Sequence, residues 1–104
     1  MRVLLDECCP RPLQSVLSGA EFVTVEMAGF KGLKNGALVA IAEGHFDVLT
    51  TADKNLRYQQ NLSARQIAIL ELPFNSWRRL RAIVPVIQTA LLAIKPGQYL
   101  EIPA

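Results

Sequence analysis

Cysteine is scarce in this chain, and its two cysteines, Cys8 and Cys9, are neighbours. Adjacent residues do not ordinarily reach disulfide geometry and there is no third thiol, which excludes a disulfide framework and agrees with a reducing, cytoplasmic setting. The single histidine leaves too few spaced soft ligands for a zinc site. Charge of one sign is also lacking. Eleven Lys and Arg against nine Asp and Glu leave +2, so no global field marks a nucleic-acid binder and any such surface must be local. No apolar run approaches the ~18 residues of a membrane span. The opening Met1-Arg2-Val3 enters a strand pattern instead of a signal sequence, so no membrane role is expected.

Repeats and low-complexity linkers are absent as well. What remains is 104 residues, 51% hydrophobic and 19% charged, enough to bury one core and too few for two. Residues 1–104 are read as a single domain. Apolar, β-branched runs alternate with helix-period segments. Strands are expected at Val3 to Asp6, Phe22 to Val25, Val48 to Thr51, Ile67 to Leu70 and Tyr99 to Ile102. A short helix opens at Pro10 and Pro12 and ends at Gly19. Gly29, Gly32 and Gly36 punctuate a loop before an apolar helix over Ala37 to Glu43, and a polar helical turn covers Lys54 to Gln60. Asn75-Ser76 caps a long last helix that carries Leu80, Ile83, Val84, Ile87, Leu91 and Ile94 on one stripe, with Pro85 kinking or splitting it. Single helices between strands imply right-handed crossovers, hence an α/β fold with a mainly parallel central sheet and helices on both faces.

In such sheets ligands collect at the carboxyl ends of the strands. Asp6 closes the first strand, Asp53 follows the third and Glu26 follows the second, so these acids are expected on one edge. Asp47 opens the third strand, roughly 13 Å away on the opposite edge, and is excluded. Glu7 points to the other sheet face if the strand still runs there, and joins Asp6 if the chain has already turned. Hard cations such as Mg²⁺ and Mn²⁺ are commonly held by one or two carboxylates together with waters and substrate phosphate oxygens. Such a cation activates water and steadies charge on a phosphodiester. Acids at strand ends also cap helices and solvate loops, and both readings stand at this level.

Leu4-Leu5-Asp6-Glu7-Cys8-x-Pro10, Val23-Thr24-Val25-Glu26, Gly32-Leu33-Lys34-Asn35-Gly36 and Phe46-Asp47-Val48-Leu49-x-Thr51-Ala52-Asp53-Lys54-Asn55-Leu56 resemble the small PIN-like proteins related to VapC-type toxins. The resemblance covers about the first two thirds of the chain. It implies a PIN-like three-layer α/β/α fold and an Mg²⁺- or Mn²⁺-dependent ribonuclease, often a toxin encoded beside an antitoxin protein. Carried over residue by residue, it implies Asp6 and Asp53 as catalytic metal ligands, with Glu7 and Glu26 as auxiliaries. Many relatives have further acids where this chain has Asn35-Gly36-Ala37 and Asn55. Those asparagines keep an oxygen without the charge.

Asn35, Lys54, Asn55, Arg57 and Tyr58 are the expected substrate contacts, since four of them directly follow Asp53. Trp77-Arg78-Arg79-Leu80-Arg81 is the densest basic stretch, open to RNA phosphates or to solvent alone. His45 is a loop residue on the far edge. The last helix carries more apolar surface than one face can bury, which makes a homodimer an expectation. Three functions follow: a metal-dependent ribonuclease, a non-catalytic PIN-like module acting through a partner, and a phosphoacceptor signalling domain. The last is disfavoured because Lys95 precedes the final strand instead of ending it.

Overall fold

The structure, a computed structural model, describes residues 1–33, 35–58 and 65–104, with the side chains of Asn35, Arg57 and Tyr58 also outside the description. Five short strands form one sheet: β1 Arg2–Leu5, β2 Glu21–Thr24, β3 Val48–Thr51, β4 Ala68–Glu71 and β5 Tyr99–Glu101. Every pairing is parallel and the order is β2-β1-β3-β4-β5. The chain therefore moves one way from β1 to β2 and the other way from β3 onward. This places the reversal between β1 and β3, where an open parallel sheet splays into a crevice.

Strand alternation sorts the core into two layers. Val3, Leu5, Val48 and Leu70 face one side and pack with Leu13 and Leu17 around α1 (Pro12–Val16), and with Leu80, Ile87 and Leu91 of α3 (Trp77–Leu80) and α4 (Val84–Ala93). Leu4, Leu49 and Ile69 face the other side and pack on Leu38, Val39 and Ala42 of α2 (Asn35–Ala42) and on Leu56. Helices thus cover both faces, the arrangement that lets a parallel sheet bury near-continuous apolar strands. Each fully buried Leu contributes on the order of 1.5–3 kcal/mol by leaving water. Among the described residues no helix is long and apolar enough to cross a membrane.

Several boundaries differ from the sequence expectation. The first helix ends at Val16, so Gly19, with φ +85°, serves the turn into β2 and not a helix cap. Gly36 lies inside α2, which starts at Asn35. Ser76 occupies the N-cap position of α3 but makes no side-chain cap bond; its carbonyl takes the Arg79 and Leu80 N–H groups instead. Pro85 does split the last helix: a 3₁₀ turn over Arg81–Ile83 joins α3 to α4, and the proline sits in the first turn of α4, where a missing N–H costs nothing. The polar turn after β3 is a 3₁₀ helix over Lys54–Tyr58, while Gln59 and Gln60 lie outside the described residues. The fourth strand runs one residue later than expected, which draws Glu71 into the sheet.

One hydroxyl in the centre of the sheet is unmatched. Thr50, fully buried on the α1 side of β3, has no partner for Oγ1 among the described residues. A buried hydroxyl without a partner costs ~1–3 kcal/mol, whereas an apolar group of the same shape does not. Thr50→Val is therefore expected to stabilise the protein by about 1 kcal/mol, raising the melting midpoint by ~4–8 °C. A lowered midpoint would show that the hydroxyl has a partner.

Candidate functional site

The carboxyl edge of the sheet gathers most of the chemistry. Asp6 follows β1, and its N–H still bonds the Thr50 carbonyl at 2.9 Å, so the strand register carries the carboxylate to the end of β3. There the Thr51 hydroxyl donates to Asp6 Oδ2 at 2.8 Å and accepts the Asp53 N–H at 3.0 Å. One side chain thus fixes both acidic positions. Asp53 in turn accepts the Asn55 N–H on Oδ1 at 3.0 Å, which starts the 3₁₀ turn. Asp6 and Asp53 line one narrow depression with Thr51, over a floor of Leu38, Leu49 and Leu56.

The two auxiliary acids have other partners. Glu7 Oε1 accepts the Gly32 N–H at 2.7 Å and so ties the loop before α2 to the end of β1. Glu26 Oε2 accepts from Arg11 at 3.4 Å. Among the described residues no three His, Cys, Asp or Glu side chains gather closely enough to hold a metal. Asp6 lines the narrow depression with Asp53 and, on its other flank, a wider cavity with Glu7 and Glu26. The remaining acceptor capacity suits a hard cation all the same: Asp6 Oδ1 takes one donor, the Glu7 N–H at 2.7 Å, and Asp53 Oδ2 takes none among the described residues. Two carboxylates with open lone pairs meet the minimum for Mg²⁺ or Mn²⁺.

Of the expected substrate contacts, Lys54 and Asn55 are exposed beside Asp53. The side chains of Asn35, Arg57 and Tyr58 lie outside the description. Asp47 stands on the opposite edge, where Oδ2 accepts the Arg2 N–H at 2.7 Å. His45 is an exposed loop residue on that same edge. Lys95 also lies there, lining a cavity with Asp47, so no lysine ends β5 to serve a phosphoacceptor. In the basic stretch Trp77 packs against the core and Arg79 stacks on Phe74 at 4.0 Å, while Arg78 and Arg81 are exposed.

Two residues at this edge were not anticipated as parts of the site. Glu71 is fully buried at the end of β4, in register with Thr51. It accepts the Tyr99 hydroxyl at 2.7 Å and pairs with Lys54 Nζ at 3.8 Å. The rule that selected Asp6, an acid closing an apolar strand, applied equally to Ile67-Ala68-Ile69-Leu70-Glu71; the expected strand simply stopped one residue short.

Cys8 is the other. Its Sγ lies 3.6 Å from Asp6 Oδ2 and 3.5 Å from Thr51 Oγ1, and it accepts the Ala52 N–H at 3.2 Å. The Cys9 thiol beside it, then the Thr51 hydroxyl and the Ala52 N–H, outweigh burial and the Asp6 charge, so the Cys8 pKa falls from 9.0 to about 7. Cys9 is pushed well above 9.0 by its hydrogen bond with Cys8 and by burial. Because the folded value of Cys8 is the lower one, its contribution to stability is full above pH 9.0 and is lost as pH falls through about 7. In metal-free protein, iodoacetamide is expected to alkylate Cys8 with a half-maximal rate near pH 7 and Cys9 only at much higher pH. One shared midpoint near 9 would contradict this.

Comparison with protein-family models, with curated proteins and with solved structures finds no match to this chain.

Proposed function

We propose that this chain is a metal-dependent ribonuclease of PIN-like type, with Asp6 and Asp53 as the ligands of an Mg²⁺ or Mn²⁺ ion and RNA phosphodiesters as substrate. The observation that carries this reading is the coupling of the two carboxylates through the Thr51 hydroxyl at the β1/β3 reversal of the sheet. The ion supplies activated water and charge compensation, the two requirements of phosphodiester hydrolysis. The protein's part is positional: Thr51 and the Glu7 N–H hold Asp6 in one orientation, and the Asn55 N–H holds Asp53. The direct test is RNA cleavage by the purified chain. Cleavage with Mn²⁺ or Mg²⁺ that stops on adding EDTA is expected; RNA left intact with either metal would contradict the assignment.

A second reading is favoured by the engagement of Glu7 with Gly32 and of Glu26 with Arg11, which leaves two carboxylates where an active centre commonly has more. On this reading the chain is a non-catalytic PIN-like module that acts through a protein partner such as an antitoxin, or through a second copy of itself. The exposed Val86 and Leu92 of α4 give such a contact apolar surface. Calorimetry separates the two readings. Heat on adding Mn²⁺ supports the ribonuclease, and none at millimolar metal supports the module.

A further inference from the structure

Among the described residues, the largest cavity at the carboxyl edge is not the depression between Asp6 and Asp53. It is a neighbour of about 660 Å³ between β1 and β2 that shares Asp6 as a wall. Its volume falls within the ~300–1,000 Å³ typical of small-molecule sites. Pro10 and Met27 give it apolar surface, and Arg11 and Glu26 supply its opposite charges. Met27 is 65% exposed, so its side chain is open to a ligand in the cavity.

We propose that this cavity is a guanine-binding subsite in which Glu26 and Arg11 read the edge of the base. Arg11 Nη2 and Glu26 Oε2 lie 3.4 Å apart, with side chains 86% and 63% exposed. So exposed a pair contributes little to the fold and opens readily toward a ligand. Side by side, the pair offers a guanidinium donor next to a two-oxygen acceptor. Guanine is the one common base that presents two parallel N–H donors, N1 and N2, beside an acceptor, O6. Both donors converge on the carboxylate and O6 takes the guanidinium, a charge-assisted bidentate match. Adenine, cytosine and uracil offer the carboxylate at most one donor group next to an acceptor. Base edges of this kind are within reach only in single-stranded RNA or free nucleotides, where the base is unstacked. The apolar wall, with the polarisable Met27 thioether, suits the ring face. The subsite rests on the ribonuclease reading for the phosphate that follows the base, but not for recognition of the base.

Titration with guanosine, adenosine, cytidine and uridine tests it without phosphate or metal, so a negative result here and a failure to cleave RNA are separate findings. Guanosine is expected to bind at least tenfold more tightly than the other three, with the preference abolished in Glu26→Gln. Both residues are exposed, so the variant folds, and its unchanged melting midpoint provides the control. Equal affinities, no binding of guanosine, or a preference retained in Glu26→Gln would overturn the proposal. The dinucleotide GpU distinguishes the sources of the base. Binding of GpU at least as tight as guanosine marks RNA, and binding confined to guanosine marks a free nucleoside or nucleotide; either outcome supports guanine recognition.

Discussion

Asp6→Asn and Asp53→Asn are each expected to lower Mn²⁺-dependent RNA cleavage by about a hundredfold or more. A bound metal's charge stabilisation of the transition state amounts to several kcal/mol, and each ~1.4 kcal/mol is tenfold in rate. Asparagine keeps the shape of the side chain: at residue 6 its oxygen still accepts the Glu7 N–H while its NH2 donates to the Thr51 hydroxyl, which then accepts instead of donating, and at residue 53 its oxygen still accepts the Asn55 N–H. The loss therefore falls on the cation and not on the fold. Asp47→Asn is the matched control, because that carboxylate binds Arg2 on the opposite edge of the sheet; it should leave cleavage within about twofold. Equal activity in all four proteins would remove Asp6 and Asp53 from the chemistry.

Glu71→Ala is expected to destabilise the protein by about 3 kcal/mol, lowering the melting midpoint by ~12–24 °C. Glu71 is fully buried, and its carboxylate is stable there only through what it binds, including the Tyr99 hydroxyl at 2.7 Å and Lys54 Nζ at 3.8 Å. Truncation removes packing from the middle of the sheet edge and takes an acceptor from Tyr99. Glu71→Gln keeps the volume and an acceptor for Tyr99 while giving up the charge, so it should cost less than the alanine variant. Thermal melting of both proteins decides the matter. Midpoints within about 2 °C of wild type in each would show that the buried carboxylate carries little of the stability.

Much of this architecture was legible in the chain because its signals are local. Val3-Leu4-Leu5 and Val48-Leu49-Thr50 could hardly be anything but buried parallel strands once helix-period segments separated them, and the edge on which Asp6 and Asp53 emerge followed from direction alone. The position of Asp47 was equally plain, since a residue that opens a parallel strand cannot share an edge with residues that close one. Pro85 marked the break in the last helix for the same reason: a prolyl nitrogen has no proton to give to the preceding turn.

What was not legible depends on partners distant in sequence. Glu26 closes its strand as Asp6 does, yet Arg11, fifteen residues earlier, engages it. The sequence allows Glu7 two orientations, and the Gly32 N–H decides where it is held. Glu71 carried the same signal as Asp6, but a one-residue error in a strand boundary hid it. The place of Cys8 beside Thr51, forty-three residues away, is a product of sheet register that adjacent cysteines do not reveal. Gly36 looked like a loop residue by propensity, and the packing of Leu38, Val39 and Ala42 on the sheet carries the helix through it.

A ribonuclease of this kind requires a cation shared by Asp6 and Asp53. Crystals grown with and without MnCl₂, measured at the manganese absorption edge, test this directly. An anomalous peak in contact with both carboxylates and absent from crystals of Asp53→Asn is the expected result. No peak at that edge of the sheet at millimolar Mn²⁺, or a peak held by other residues, would contradict it.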